Sequence, residues 1–235
     1  MVPLFPGYER VSLPRRAVLL AGLAGAVGCA LPRRVRAATA ILLPVATGNR
    51  RFSVIYKGDR IGAHTVEYAS ASGETRGNTE IELLVKVASF TMFSFKHRSE
   101  ETWRDGRLTA LKSRTVEDGD TLRVEGAVTP DGFRVESGGG PFIASAATLT
   151  SNSLWTPAVL EQATIVDAQH GGVIGVSARR QLDEVIEVAG RRIQAARYTF
   201  ITPYLAGGIW YDQDGVWVRG EFERDGSKIR YQLDT

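Results

Sequence analysis

The chain has 235 residues, 43% apolar and 23% charged, enough for a buried core of domain size, which excludes intrinsic disorder and a collagen-like repeat. A formal charge of +3 and a calculated pI near 9.1 would suit a nucleic-acid or anionic-membrane binder. Six Arg and one Glu fall in residues 1–40, however, so residues 41–235 carry 23 basic and 25 acidic side chains and no nucleic-acid partner is expected for them.

Ala17 to Leu31 is an uncharged run rich in Ala, Leu, Val and Gly, preceded by Pro14-Arg15-Arg16 and followed by Pro32-Arg33-Arg34. It falls short of the roughly 20 residues that span a bilayer as a helix, so residues 1–40 read as a cleaved export signal and the mature chain is expected to have no transmembrane span. Val35-Arg36-Ala37 and Ala38-Thr39-Ala40 mark cleavage after Ala37 or Ala40. Arg15-Arg16 before Ala17-Val18-Leu19-Leu20 resembles a twin-arginine signal, with the general export route as the alternative. Ala26-Val27-Gly28-Cys29 is close to a lipobox, which keeps open a lipoprotein tethered through Cys29. Cys29 is the only cysteine, so the chain has no disulfide and no cysteine metal site, in keeping with a periplasmic or secreted protein.

Residues 41–235 read as a single antiparallel β domain. Phe52 to Tyr56 and Ile61 to Ala69 flank a turn at Gly58-Asp59, and Ile81, Leu83, Val85 and Val87 alternate with Glu80, Glu82 and Lys86, the period of a strand with one wet face. The alternation recurs at Leu122/Val124, at Val216/Val218/Phe222 and at Ile229/Tyr231/Leu233. Asp-Gly occurs at Asp105-Gly106, Asp118-Gly119, Asp131-Gly132, Asp214-Gly215 and Asp225-Gly226, and such pairs favour tight hairpins over βαβ crossovers. The fold class is therefore all-β, an antiparallel meander forming a barrel, half-barrel or sandwich. The pattern breaks between Ser137 and Gly172, where Gly138-Gly139-Gly140-Pro141 interrupts the strands and Thr156-Pro157 pairs an N-cap with proline at N1, predicting one short helix. This central segment is expected to cross or plug the sheet. A second β set, Arg180 to Val188 and Arg191 to Thr202 about Ala189-Gly190, runs on to the end.

The three histidines, His64, His97 and His170, stand in no zinc-ligand spacing, and no metal or cofactor is expected. Alternation puts His97, Ser99, Glu101 and Trp103 on one strand face, but His97 and Glu101 lie about 13 Å apart along an extended strand, too far to touch. They form either a polar cross-strand network or an acid/base centre completed from another strand. Gly175-Val176-Ser177 lacks the second Gly of a nucleophile elbow, and Asp212-Gln213-Asp214-Gly215 reads as a hairpin turn rather than a calcium loop. The aromatic residues, Phe90, Trp103, Trp155, Trp210 and Trp217 among them, serve as core, or as core plus an apolar cavity on a curved sheet. In the second case Trp103, Trp155 and Trp210 should line one cavity with His97 or Glu101 at its polar end.

The order and spacing of Tyr56 to Gly62 with His64, His97-x-x-x-Glu101-x-Trp103-x-x-Gly106-x-Leu108, Ser113-x-Thr115, Leu154-Trp155-Thr156-Pro157, Trp210-Tyr211-Asp212 and Asp225-Gly226-Ser227-x-Ile229-x-Tyr231 resemble the domain of unknown function 6134 family of exported proteobacterial proteins. The resemblance implies an exported, mostly antiparallel β-domain and carries no reaction or ligand. Three functional readings stand. The first is a non-catalytic periplasmic domain binding an apolar or lipid-derived molecule or an envelope protein. The others are a hydrolase-like enzyme centred on His97 and Glu101, and a purely structural envelope protein.

Overall fold

A computed structural model of the protein describes residues 48–224 and 226–234. The expected export signal of residues 1–40, its cleavage sites, Arg15-Arg16, Cys29 and Asp225 of the last Asp-Gly pair lie outside the described residues. Eight strands come first: β1 (Gly48–Tyr56), β2 (Asp59–Ala71), β3 (Glu74–Val87), β4 (Phe90–Arg104), β5 (Arg107–Glu117), β6 (Asp120–Thr129), β7 (Gly132–Ser137) and β8 (Phe142–Ala144). The central segment holds two 3-10 helices, Ser153–Trp155 and Pro157–Glu161, and the short strands β9 (Thr164–Val166) and β10 (Val173–Gly175). Then follow β11 (Ser177–Arg180), β12 (Glu184–Val188), β13 (Arg191–Ile201), β14 (Ala206–Tyr211), β15 (Trp217–Arg224) and β16 (Ser227–Leu233).

Every strand pair named here is antiparallel, and fourteen strands form one sheet in the order β11-β13-β14-β15-β16-β1-β2-β3-β4-β5-β6-β7-β8, with β12 also on β13. The all-β expectation holds. The joint between the two halves is β1 with β16, where Val54 opposes Tyr231. The two ends, β8 and β11, are not paired with each other, so the sheet is a half-barrel rather than a closed one.

The hairpins are tight for the reason the sequence supplies. At Asp105-Gly106 and Asp118-Gly119 both residues have positive φ (48° and 70°, 48° and 98°), the conformation whose twist matches the flanking strands. The first turn sits one residue earlier than expected, on Lys57-Gly58, with φ of 53° and 94°. Asp212 holds its turn with its own carboxylate, which accepts from the N–H groups of Asp214 (3.0 Å) and Val216 (2.9 Å).

Burial follows the period-two rule along much of the sheet; β14 departs from it, with Ile209, Trp210 and Tyr211 all buried because both its faces are covered, and two further exceptions bear on the sequence reading. Along β4, Phe93, Phe95, His97, Ser99, Glu101 and Trp103 are all buried while the residues between them are not. The first of these two is the β3–β4 tip. Pairing with β2 ends at Leu83 and with β5 at Phe95, so the ribbon beyond has no neighbouring strand, and Val87 and Phe90 are 61% and 73% exposed rather than core. The second is β15, where a bulge opposite Trp210/Tyr211 inserts an extra residue. It sends Val218 to the outer face beside Trp210 and leaves Trp217 and Phe222 on the inner face, so Val218 and Phe222 do not share one.

The central segment fills the concave side. Val66, Tyr68, Trp103, Leu108, Leu111, Val124, Phe133 and Val135 of the sheet pack against Leu149, Trp155, Val159, Ile165, Val166, Ala168 and Ile174. On the other half, Leu154, Leu160 and Val176 pack against Phe52, Phe200, Ile209, Tyr211, Trp217 and Phe222. Full burial of each large side chain contributes about 1.5–3 kcal/mol, so this plug is the main core of the domain. The Thr156-Pro157 start is where it was expected, with the Thr156 hydroxyl accepting from the Ala158 N–H, but the turns are 3-10 and there are two of them.

Candidate functional site

A band of buried polar side chains crosses the inner face of β4 and β5, because strand register sets His97 opposite Thr115 and Ser99 opposite Ser113. Buried hydroxyls and rings need partners, and the plug supplies them. Thr115 donates to the Gln169 carbonyl (2.7 Å) and Ser113 to the Ala168 carbonyl (2.6 Å). With its proton so used, the Thr115 oxygen accepts from His97 Nδ1 (2.9 Å). His97 Nε2 is then an acceptor, and it receives one Asn152 Nδ2 hydrogen (3.1 Å) while the other goes to Ser99 Oγ (2.7 Å). Glu101 accepts from the Thr150 hydroxyl and, at 3.3 Å, from Trp103 Nε1. The Thr150 oxygen accepts in turn from the Asn152 N–H (3.0 Å).

The electrostatics agree with this wiring. Burial, against the pull of the Asp167 charge, lowers the His97 pKa to about 4, so the ring is neutral at pH 7 with both nitrogens engaged. Burial raises the Glu101 carboxyl to about 7 in spite of the hydrogen bonds from Thr150 and Trp103. His97 and Glu101 are therefore linked through Asn152 and Thr150, and both are buried. The pair thus carries shifted pKa values inside a buried network of hydrogen bonds. At the rim, His170 lies between Asp167 Oδ2 (3.1 Å, at Nδ1) and Glu117 Oε2 (3.0 Å, at Nε2). Burial opposes its charge, but the hydrogen bonds and charges of the two carboxylates raise it to about 9, making it an imidazolium that ties the plug to the end of β5.

Among the described residues the buried side-chain atoms without a hydrogen-bond partner are Asn152 Oδ1, Arg197 Nε and both ring nitrogens of His64, and of these three residues His64 has no side-chain partner at all. It is buried among Phe52, Trp217 and Tyr231, and neither ring nitrogen has a hydrogen-bond partner. Burial, then the charge of His97, lowers its pKa to about 3. A base with a depressed folded pKa leaves stability intact above the unfolded value near 6.5 and loses it as pH falls from there toward 3, because only the unfolded chain takes the proton. His64→Phe should thus gain about 2 kcal/mol more over wild type at pH 5 than at pH 8. Urea unfolding at the two pH values reads this directly, and an equal difference at both would contradict it.

Of the five residues expected at a site, four are at or beside this band. Trp155 meets Trp103 edge to face (5.7 Å, 85°) and stacks on Tyr68 (5.4 Å). The narrow space beside Trp155, bounded by Phe52, Val66, Tyr68 and Trp217, is too small to admit a water molecule. Trp210 is elsewhere. It lies on the outer face under β12, donating to Glu184 Oε2 (3.1 Å), with the guanidinium groups of Arg197 and Arg219 5.2 and 5.8 Å from its ring centre. The three tryptophans therefore do not line one cavity. Beyond the expected set, Thr150, Asn152, Ser113, Thr115, Asp167 and His170 belong to the band. Ser113 and Thr115 were visible as alternating polar residues on β5, but no local pattern marks Thr150 and Asn152, which lie in irregular backbone.

A groove of about 640 Å³ runs between the Glu187–Gly190 turn and the outer face of β15, β16 and β2, lined by Arg60, Arg219 and Arg230, with Val188, Val218 and Leu233 also on its walls. Among the described residues no helix is long and apolar enough to cross a membrane.

Fold and site together define a class: an antiparallel half-barrel whose concave face is occupied by its own polypeptide. Residues 52–234 match the family described as "Domain of unknown function (DUF6134)", and the chain belongs to that family. No curated protein matches it. The crystal structure of a beta-barrel-like protein of the domain of unknown function DUF1849 from Brucella abortus is similar, with a TM-score of 0.59 at 12% identity, covering 81% of this chain and 97% of that one. At that identity the likeness concerns the fold alone.

Proposed function

We propose that the protein is an exported, non-catalytic binding domain of the cell envelope, with a filled half-barrel as scaffold and its binding surface on the outside. One observation carries the proposal. The polar side chains that would serve catalysis, His97 and Glu101, are buried and bonded to Thr150, Asn152 and Trp103. The interior that would hold an apolar ligand is filled by the chain itself. The charged leader supports export, and the outer groove supports binding.

The test is to express the full chain in a bacterial envelope, sequence the mature N-terminus, and identify by mass spectrometry what copurifies with wild type and with Glu101→Gln. The expected result is a mature chain starting at Ala38 or Ile41 that retains the same lipid-derived molecule or envelope protein in both forms. A start at a lipidated Cys29 would convert the free domain into a tethered one. Turnover of an ester or glycoside abolished by Glu101→Gln would establish the enzyme reading instead.

A further inference from the structure

We infer that the outer groove is a binding site for an anionic amphiphile, a phosphate-headed or carboxylate-headed molecule with a short apolar tail, an inference that rests on the binding-domain reading above. Strand register assembles it. Ile55 of β1 lies between Arg60 of β2 and Arg230 of β16, and Arg230 opposes Glu221 of β15. One row along, Gln232 opposes Arg219, which opposes Trp210. Residues paired across an antiparallel sheet share a face, so Arg60, Arg230 and Arg219, from three strands, project on the outer side, with the backbones of Arg60 and Arg219 each within about 10 Å of that of Arg230 and on either side of it.

Of these cations Arg60 is the one left without a carboxylate partner among the described residues, while Arg219 also acts on Glu184. Glu221 is shared by Arg219 (3.4 Å) and Arg230 (3.7 Å). Arg60 makes one long contact, from Nε to the Gly62 carbonyl at 3.5 Å, and no carboxylate lies within ion-pair distance of it among the described residues. Asp234, also on the groove, is committed to the Ser53 hydroxyl (2.6 Å), the Ser53 N–H (3.1 Å) and Arg51 (3.5 Å). Guanidinium forks bind oxyanions through paired, charge-assisted hydrogen bonds, and a site of this size suits a small ligand. Val188, Val218 and Leu233 continue the apolar cluster around Trp210 to the groove wall, giving a tail somewhere to lie. Glu187, on the hairpin side, is the carboxylate that opposes an anionic headgroup.

Calorimetric titration of the full chain with dodecyl phosphate below its micelle concentration, with inorganic phosphate and with neutral dodecyl maltoside tests the inference. Dodecyl phosphate should bind saturably, at least tenfold tighter than either of the others. Arg60→Gln and Arg230→Gln should each weaken it about tenfold and Glu187→Gln should tighten it, all three unfolding at the wild-type temperature. Inorganic phosphate binding as tightly as dodecyl phosphate would overturn the amphiphile and leave a plain anion site. Absence of saturable binding, or binding indifferent to Arg60→Gln and Arg230→Gln, would overturn the groove altogether. In that event a molecule that still copurifies from the envelope would keep the binding-domain reading, whereas loss of both results would remove it.

Discussion

Trp155→Ala is expected to lower the stability of the domain by about 3–5 kcal/mol, the cost of deleting a large buried aromatic whose site cannot collapse. For a chain of this size that corresponds to a fall of roughly 6–20 °C in the unfolding midpoint. Trp155 is 4% exposed and is held on two sides by Tyr68 and Trp103, which stand on different strands of the sheet, so the vacated space has rigid walls. Its place in an irregular segment invites the opposite expectation, that it is a lid whose loss weakens a ligand more than the fold. Thermal unfolding of the variant beside its affinity for the copurifying molecule separates the two. A large fall in midpoint with unchanged affinity fits a plug, while an unchanged midpoint with lost affinity fits a lid.

Asn152→Leu is expected to cost about 2–5 kcal/mol, although it exchanges one side chain for another of similar size. Its amide supplies the partner of both His97 Nε2 and Ser99 Oγ, and each buried group left without one costs about 1–3 kcal/mol. Combining it with His97→Phe should cost less than the sum of the two single changes, because the double variant leaves fewer orphaned groups. A denaturant-unfolding cycle over the four proteins measures that coupling. Additive costs would mean that Asn152 and His97 do not act together.

The legible part of the fold was the part written in local chemistry. Period-two alternation and Asp-Gly pairs are properties of neighbouring residues, and they located the hairpins of β4–β5 and β5–β6 and the Thr156-Pro157 turn. Failures came where long-range context decides. Val87 and Phe90 have core chemistry, but their hairpin outruns β2 and β5, and nothing within the hairpin records the length of its neighbours. The bulge in β15 moved Val218 to the other face, and a one-residue insertion reverses every later side chain.

The site was legible in the same measure. His97, Ser99, Glu101 and Trp103 share a face because strand geometry requires it, and a direct contact of His97 with Glu101 was excluded by distance alone. Their partners Thr150, Asn152 and Gln169 arrive from a segment with no period, so only the fold identifies them. Trp210 was grouped with the other tryptophans by composition, yet β12 covers it on the opposite side of the sheet. No local pattern marks the groove, because Arg60 of β2 is far in the chain from Arg219 and Arg230 of the β15–β16 hairpin, and each alone resembles a solvated charge.

Whether residues 145–176 are a permanent part of the core or a cover that opens is the question on which the non-catalytic reading rests. Native-state hydrogen exchange of the full chain answers it most directly, since the amides of Ser151, Val166 and Asp167 are bonded within the plug to carbonyl oxygens of Val166, Leu149 and Gly172 at 2.9, 2.9 and 3.0 Å. The predicted result is that these amides exchange only with global unfolding, with the same opening free energy as the central residues of β4 and β5. Exchange through a local opening several kcal/mol cheaper than that of β4 and β5 would contradict it, and would expose His97 and Glu101 to solvent as groups able to react.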